Sequence, residues 1–415
     1  MTTTAFPAGL HRTNPSGTVG PPSRFLLDPE WARQAARPMR RLISGPVEPR
    51  WPDLEHIARS LMATDRAGAD LAAAIGDGQI RMKQFRQALA SGVAAVPQAP
   101  AALVDFFAEV EALPGWVDDE LLRRGARVVR RSGLNAADVM NTALLSGYRS
   151  SADSQLLVRT GGLTGDGAIR RLAETAKWWH ECVQAEGMDR ERPGWQLTVH
   201  VRVMHALVNR YYEQSGTWDS ATWGRPINQA DQAATLGLFC TYYLLAIRSL
   251  GIPVSAADGQ AVMHLWRYIG WLMGVSEEWL PLDEQDGRRT FYRLSLTVPP
   301  PDENSVLLAR SLLASRKHLS FNRFQTWRRR YEHAKLRSLS SALVGRSGMR
   351  EMGLRPVLPW YHAVRVPTNA VKHRLARQHP RLEQRLLDRG GRELTRSLTK
   401  HFGPALPAVG PHPHT

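Results

Sequence analysis

The chain has 415 residues, of which 43% are hydrophobic and 22% charged, a composition that excludes a wholly disordered or collagen-like protein. Its two cysteines, Cys182 and Cys240, are too few for a disulfide framework or a four-cysteine zinc site. The net charge of +16 lies almost entirely at the C-terminal end, because residues 301–415 hold 22 Lys and Arg against 7 Asp and Glu. The main body is therefore nearly neutral.

The N-terminal residues lack the basic start and apolar stretch of a secretory signal, and we interpret residues 1–45 as a flexible arm. The most apolar run, residues 235–247, ends at Arg248 and is shorter than the roughly 18 residues of a membrane span. We expect a cytoplasmic protein in which this run is a buried core helix.

Apolar residues recur at intervals of three and four along most of the chain, and alternating strand-like patterns are scarce. The sequence therefore predicts an all-α fold. The predicted helices are 54–75, 100–112, 118–132, 137–158, 167–186, 196–215, 228–250, 256–274, 303–343 and 369–402.

Three consecutive prolines, residues 299–301, suggest a domain boundary. A helical body over residues 46–298 would precede a basic helical extension over residues 299–402. The last segment, residues 403–415, has the composition of a disordered tail.

Familiar catalytic signatures are missing from the sequence. There is no Gly-x-x-x-x-Gly-Lys-Ser/Thr loop for nucleotides, no Gly-x-Ser-x-Gly elbow of hydrolases and no His-Glu-x-x-His of metalloproteases. Candidate functional residues must therefore come from polar groups on the predicted helices.

The predicted helix over residues 167–186 carries Arg171, Glu174, Thr175 and Trp178 on one side at successive turns. A guanidinium, a carboxylate and a hydroxyl would then share one patch. The alternative is an Arg-Glu pair on a solvated face, although Leu172 and Trp178 indicate that the helix is partly buried.

On the next predicted helix, His205 lies between the apolar residues Val201, Met204 and Val208. A neutral imidazole in this setting could bind a metal or haem iron through one nitrogen. A satisfied core histidine is the plainer alternative. His200 lies on a different face, which disfavours a mononuclear metal site built from both histidines.

A third segment, residues 261–273, is rich in Met, Trp and Leu and contains His264 as a second candidate ligand. Such residues ordinarily pack a core, but the same stripe would suit the wall of a large flat cofactor.

The basic C-terminal region interleaves arginines and lysines with the aromatic residues Phe321, Phe324, Trp327 and Tyr331. A solvated helix face is the simplest interpretation. Peripheral contact with an anionic membrane is the second, and nucleic acid is the weakest because no recognised nucleic-acid module is present. The six basic residues of this cluster are Arg323, Arg328, Arg329, Arg330, Lys335 and Arg337.

Taken together, several segments between residues 115 and 281 resemble the latex clearing protein/MpaB-like family of haem b oxygenases. The segments that carry the resemblance are GWVDDELLRRGARVVRRSG, LLVRTGGL, RRLAETAKWW, VRVMHALVNR, WGRPINQADQAATLGLF and HLWRYIGWLMGVSEEWLP. They occur in the family's order, and no short motif carries the resemblance alone.

The resemblance implies a globin-like helical core with one haem b, held non-covalently by His205 as proximal ligand. It also implies that Arg171, Glu174 and Thr175 face the oxygen-binding side, with Glu174 as a base or weak sixth ligand. Arg202 would pair with a haem propionate, or equally form a surface ion pair. The rubber-cleaving branch carries a lysine at the position of Glu174, which argues against rubber as the substrate.

The function expected from the resemblance is oxidative cleavage of a C=C bond in a hydrophobic isoprenoid or other alkene with O2. The alternative within enzymes is a haem monooxygenase or peroxidase-like enzyme on a small hydrophobic molecule. Outside enzymes, the chain would be a helical binding protein that attaches to an anionic membrane or nucleic acid through its basic C-terminal segment. The sequence leaves the oligomeric state open.

Overall fold

The computed structural model describes residues 20–160 and 166–402, and helices without any strand make up the regular structure of these ranges. The predicted all-α fold is confirmed. The helices are α1 Pro29–Arg40, α2 Trp51–Ser60, α3 Arg66–Gly76, α4 Met82–Ser91, α5 Ala101–Glu111, α6 Asp119–Ser132, α7 Leu134–Gly147, α8 Ser151–Arg159, α9 Asp166–Cys182, α10 Pro193–Ser215, α11 Ser220–Trp223, α12 Gln229–Gly237, α13 Tyr243–Ser249, α14 Ala256–Leu272, α15 Glu284–Ser295, α16 Glu303–Ala314, α17 Gln325–Leu343, α18 Gly345–Glu351, α19 Trp360–Gln378 and α20 Pro380–Phe402.

Several helices begin where the local sequence supplies a partner for the first free backbone N–H groups. The Asp118 carboxylate accepts hydrogen bonds from the first turn of α6, and the Asn228 and Ser255 side chains do so for α12 and α14. Helix α10 instead starts with Pro193, whose missing N–H costs nothing at this position. These caps fix the register of the helices around the core.

Helices α10 and α14 cross the centre of the molecule. Helix α14 packs on α6, and α10 packs on α3 and α9. The crossing of α6 and α14 is close, since a Cβ at Gly125 would clash with the Ala261 carbonyl oxygen. Trp195 and Trp266 are fully buried at this centre, and each large side chain that leaves water contributes roughly 1.5–3 kcal/mol.

The most apolar run forms a buried helical stretch, as predicted. It differs from a simple helix because five residues, Leu238–Tyr242, form a π-helix between α12 and α13. Such wide turns recur near functional sites. None of the helices in the described ranges is both long and apolar enough to cross a bilayer.

Several predicted helices are divided in the structure. The range 54–75 becomes α2 and α3, 137–158 becomes α7 and α8, and 303–343 becomes α16 and α17. Helices α1, α4 and α15 lie outside the predicted ranges. Few of their residues are buried, although these helices pack on the body.

The structure differs from the predicted arm over residues 1–45 in the part that it describes. Helix α1 packs on α15, and the guanidinium of Arg24 is buried in an ion pair with Asp231. A buried ion pair holds this segment against the body. Residues 1–19 and the predicted tail over residues 403–415 lie outside the described residues.

The basic C-terminal helices pack on the body. Helix α20 lies on α6 and α9, Lys335 of α17 pairs with Asp138 at 2.8 Å, and Asn369 of α19 donates to the Leu250 carbonyl at 2.9 Å. These contacts cross the boundary predicted at residues 298/299. The division into two domains stays a prediction.

Candidate functional site

A cavity of about 430 Å³ lies between helices α7, α8, α9, α10, α12, α14 and α16. Most of its wall is aliphatic, and it is therefore suited to an apolar guest. The aliphatic wall includes Met140, Leu144, Leu156, Leu157, Leu172, Val201, Val208, Leu236, Ile269, Leu308 and Leu312.

His205 of α10 lines this cavity together with Val201, Met204 and Val208, the apolar neighbours expected from the sequence. Burial lowers the pKa of the imidazole to about 4, against the opposing charge of Asp65 and a contact with Gln232. The ring is therefore neutral at pH 7. Its Nδ1 atom is buried and has no hydrogen-bond partner among the described residues.

Arg171, Glu174 and Thr175 of α9 line the same cavity as His205. The structure thus brings together the four groups that the sequence placed on two separate helices. Burial lowers the pKa of Arg171, and its Nη1 donates a hydrogen bond to the Leu157 carbonyl oxygen at 3.3 Å. That contact ties the guanidinium to the end of α8.

The Glu174 carboxylate is 14% exposed and accepts a hydrogen bond of 2.9 Å from Arg170 Nε, one turn before it. Arg170 is half exposed, so the pair reaches from the cavity wall towards solvent. An Arg-Glu pair, one of the two alternatives considered from the sequence, is thus present. It joins Arg170 to Glu174, while Arg171 lines the cavity.

An aromatic cluster forms one wall. The rings of Phe239 and Trp266 stack with centroids 4.9 Å apart, and Trp178 meets Phe239 edge-on at 5.2 Å. All three line the cavity, and Phe239 belongs to the π-helix. Segment 261–273 therefore packs the core and also lines the cavity through Trp266, while its role as the wall of a cofactor stays a prediction.

Two carboxylates in the cavity were missed by the sequence analysis. Asp153 of α8 and Asp231 of α12 both line it. Burial raises the pKa of Asp153 to about 7, and the nearby negative charge of Asp231 adds to this, while Arg24 opposes it. Asp231 is held by Arg24 at 2.6 Å and by the Asn228 amide at 2.7 Å.

A sequence signal for this pair exists but is weak. Asp231 lies in the segment WGRPINQADQAATLGLF, and Asp153 follows the Ser150 cap of α8. Acidic residues in the first turn of a helix are ordinarily explained by the helix dipole. Only the tertiary structure brings the two carboxylates to one cavity.

Arg202 is not among the residues that line the cavity. It lies roughly 100° round α10 from the face that carries Val201, Met204 and His205. Its guanidinium is 3% exposed, and Asp65 accepts from its Nε at 2.6 Å and from its Nη2 at 2.7 Å. Glu109 accepts from the same Nη2 at 2.6 Å. Arg202 therefore forms a buried ion pair with two carboxylates. The sequence had suggested a haem propionate or a surface ion pair as its partner.

The other two candidate histidines also lie away from the cavity lining. His264 Nε2 accepts a hydrogen bond of 2.9 Å from the backbone N–H of Asp118, and its ring meets Trp116 edge-on. His200 stacks on Phe85. Within the described ranges, no three His, Cys, Asp or Glu side chains come together as a metal-binding group.

Three buried polar atoms on cavity-lining residues have no hydrogen-bond partner among the described residues: His205 Nδ1, Gln232 Oε1 and Trp266 Nε1. Buried polar groups are satisfied in most folded proteins, so a cluster of unsatisfied ones is typical of a binding site. A neutral imidazole in an apolar cavity fits an axial ligand of haem iron.

Comparison with known proteins identifies the family of the chain. Residues 133–378 match the family model of the ER-bound oxygenase mpaB/B'/rubber oxygenase catalytic domain, more than half of the chain. The chain belongs to this oxygenase family. The resemblance inferred from the sequence is thus confirmed.

Two relatives of the mpaB/rubber oxygenase family give the extent of the likeness. Rubber oxygenase from Streptomyces sp. (strain K30) is 26% identical over 278 residues, which cover 64% of this chain and 63% of the relative. The match thus spans under two thirds of that relative's length. The solved structure of latex clearing protein LCP in its closed state shares the fold, with a TM-score of 0.56 at 20% identity over 84% of this chain and 87% of that one.

The match to the mpaB/rubber oxygenase family includes the helices that line the cavity and part of the basic C-terminal region. Helices α9, α10, α12 and α14, which carry the polar residues and the aromatic wall, lie within residues 133–378. So do α17, α18 and α19. The candidate site is therefore part of the family's catalytic domain.

Proposed function

We propose that this protein is a haem b-dependent oxygenase that cleaves a C=C bond of a hydrophobic isoprenoid or other alkene with O2. One observation carries the proposal: a neutral, buried imidazole and a guanidinium, a carboxylate and a hydroxyl from a second helix line the same apolar cavity. Membership of an oxygenase family supports it.

His205 would hold the cofactor. Its imidazole stays neutral far below pH 7, so its nitrogen lone pair is available to iron. The aliphatic and aromatic wall would enclose the porphyrin and exclude water. When bound, haem b supplies the iron at which O2 is activated.

Arg171 and Thr175 supply hydrogen-bond donors on the cavity wall. The Arg171 guanidinium is oriented by its bond to the Leu157 carbonyl, and it remains able to donate through its other N–H groups. Donors fixed in an enclosed site stabilise developing negative charge without reorganisation. These two residues would therefore orient O2 and the oxygen atoms of the product.

Glu174 and Asp153 are the groups that would hold or move a proton. The Arg170 side chain orients the Glu174 carboxylate. The pKa of Asp153, raised to about 7, lets its carboxyl group take up or release a proton near neutral pH. A carboxylate beside an apolar cavity would be suited to accepting a proton that the alkene releases as O2 oxidises it.

The substrate would be a hydrophobic alkene that fits among Leu157, Leu172, Val208 and Leu312. Rubber itself is not the expected substrate, because Glu174 stands where the rubber-cleaving branch has a lysine. A haem monooxygenase or peroxidase-like activity on a small hydrophobic molecule is the second candidate, favoured by the guanidinium of Arg171 in the cavity, since such a group assists O–O cleavage.

The test is oxygen uptake and product analysis with the haem-loaded protein and short isoprenoid alkenes. Cleavage gives two carbonyl products for each O2 consumed. A peroxidase-like enzyme would instead consume peroxide, and a monooxygenase would consume O2 only with an added reductant, in both cases without cleavage of the C=C bond. Replacing one donor, as in Arg171→Gln or Thr175→Val, should lower the rate about 10²–10³-fold. Glu181→Gln, on the same helix but away from the cavity lining, is the control for Glu174→Gln. Equal rates in these two variants would overturn the role of Glu174.

A further inference from the structure

Helix α19 exposes an apolar stripe where a packed helix would ordinarily be polar. Val364, Val371 and Leu375 are 55%, 60% and 49% exposed. With Trp360 and the exposed Pro367, they repeat at intervals of four and three, so they share one face along about four turns. The opposite face is buried through Tyr361, Asn369, His373 and Ala376.

The stripe continues onto α17. Phe324 and Trp327 are 77% and 66% exposed, the ring of Trp327 stacks on Tyr331, and Tyr331 meets Trp360 with ring centroids 6.0 Å apart. Leu358, just before α19, is 79% exposed. We call this set the α17–α19 apolar surface: Phe324, Trp327, Tyr331, Leu358, Trp360, Val364, Pro367, Val371 and Leu375.

The α17–α19 apolar surface lies in the most basic part of the chain. Residues 321–378 contain 13 Lys and Arg and only two acidic residues. Both acidic residues are already paired, Glu332 with Lys335 at 2.6 Å and Glu351 with Arg149 at 2.7 Å. The exposed arginines of the region are Arg323, Arg328, Arg330, Arg346, Arg350, Arg355, Arg374 and Arg377. The partner of this surface must therefore be apolar and negatively charged.

Two other occupants fit this surface less well, one because of its charge and the other because it offers no apolar surface. A second copy of the chain would pair the surface with itself, and such a symmetric contact would bring arginines against arginines. Nucleic acid would satisfy the arginines and could stack on Trp327, but it offers no counterpart for the aliphatic Val364, Val371 and Leu375. An anionic bilayer satisfies both the charge and the aliphatic side chains.

We propose that the α17–α19 apolar surface binds an anionic lipid bilayer. The aromatic and aliphatic side chains enter the headgroup and upper acyl region, while the arginines bind lipid phosphates. The helices lie on the membrane and do not cross it. The contact would hold the protein where hydrophobic alkenes dissolve, but it does not depend on the proposed reaction.

The experiment is sedimentation of the full chain with vesicles of phosphatidylcholine alone or mixed with phosphatidylglycerol. We expect binding to the anionic vesicles, weaker binding at high salt and little binding to pure phosphatidylcholine. The triple variant Trp327→Ser, Leu358→Ser, Val371→Ser should lose binding. The matched control, Leu27→Ser with Leu113→Ser and Leu282→Ser, removes leucines that are 62%, 57% and 59% exposed elsewhere and should bind as the original chain does.

The charge contribution has its own variant. Changing Arg323, Arg328 and Arg330 to Gln should weaken binding about a hundredfold, because each basic residue near an anionic surface contributes roughly a factor of five. The control changes the exposed Arg41, Arg50 and Arg81 to Gln. Unchanged thermal unfolding verifies that each variant folds.

Three results would overturn the proposal. The first is no sedimentation with anionic vesicles. The second is equal loss of binding in the surface and control variants. The third is that the original chain associates with itself or binds duplex DNA, does not bind vesicles, and loses that association or DNA binding in the triple surface variant. Because vesicle binding is measured without substrate, failure of the proposed oxygenase reaction would leave this result unaffected.

Discussion

Replacing Arg202 with Met tests whether this residue supports the fold or binds the cofactor. The guanidinium is 3% exposed and joins α10 to Asp65 and to Glu109 of α5. Hydrogen bonds and charge attraction from these carboxylates raise the pKa of Arg202 although burial alone would lower it. The variant keeps much of the side-chain volume but leaves Asp65 with an uncompensated buried charge.

The expected loss follows from the burial of each partner. Removing one member of a buried ion pair costs about 3–5 kcal/mol. Glu109 is half exposed and can regain water, so the lower end applies, about 3 kcal/mol. With an unfolding entropy of about 2.1 cal/mol/K per residue, this loss lowers Tm by about 3–4 °C in a chain of 415 residues.

The assay is thermal unfolding of the protein without and with haem, beside haem titration. We expect Arg202→Met to lower Tm by the same amount in both forms and to leave haem affinity nearly unchanged. The control is Arg248→Met, which breaks an ion pair with Glu284 away from the cavity lining. If Arg202→Met left the Tm of the haem-free protein unchanged and bound haem tenfold more weakly, the structural role of Arg202 would be refuted. A contact between Arg202 and a haem propionate would then be the better explanation.

Three further outcomes follow from the site. Because the pKa of Asp153 is raised to about 7 from 3.8, the folded state keeps a proton that the unfolded chain releases, and stability falls as pH rises from about 4 to 7. Asp153→Asn should therefore raise Tm more at pH 8 than at pH 5, and an equal change at both pH values would contradict this. Gly274 has φ +86°, and a Cβ there would lie 2.6 Å from Asp65 Cγ. Gly274→Ala should therefore lower the free energy of unfolding in urea by about 1–3 kcal/mol, and an unchanged free energy would contradict this. Since the pKa of His205 is lowered to about 4, haem absorbance should stay constant from pH 8 to about 5.5, and a loss centred near pH 6.5 would show that the imidazole is not buried.

Local periodicity was enough to predict the helices that form the site, since α9, α10 and α14 lie close to the predicted ranges 167–186, 196–215 and 256–274. It did not predict the breaks between α2 and α3 or between α7 and α8. These breaks depend on turns whose residues are not strong helix breakers. Short helices such as α4 and α15 were missed because few of their residues are buried.

For the site, sequence spacing placed Arg171, Glu174 and Thr175 on one face of α9, and the structure brings that face to His205. Spacing along one helix cannot show which other helix is opposite, so Asp153 and Asp231 were not associated with the cavity. For the same reason the partners of Arg202, which come from residues 93 and 137 positions away, could not be inferred. Groups brought together from distant parts of the chain require the fold.

The central claim is that His205 binds haem iron, and the most direct test is an absorption spectrum with haem quantitation of the purified protein and two histidine variants. We expect a Soret band with one haem per chain in the original protein and in His200→Ala, because His200 is on the same helix but does not line the cavity. His205→Ala should lose or shift the band, and added imidazole should restore it. A Soret band that is unchanged in His205→Ala, or no haem in any of the three proteins after expression with haemin, would contradict the account.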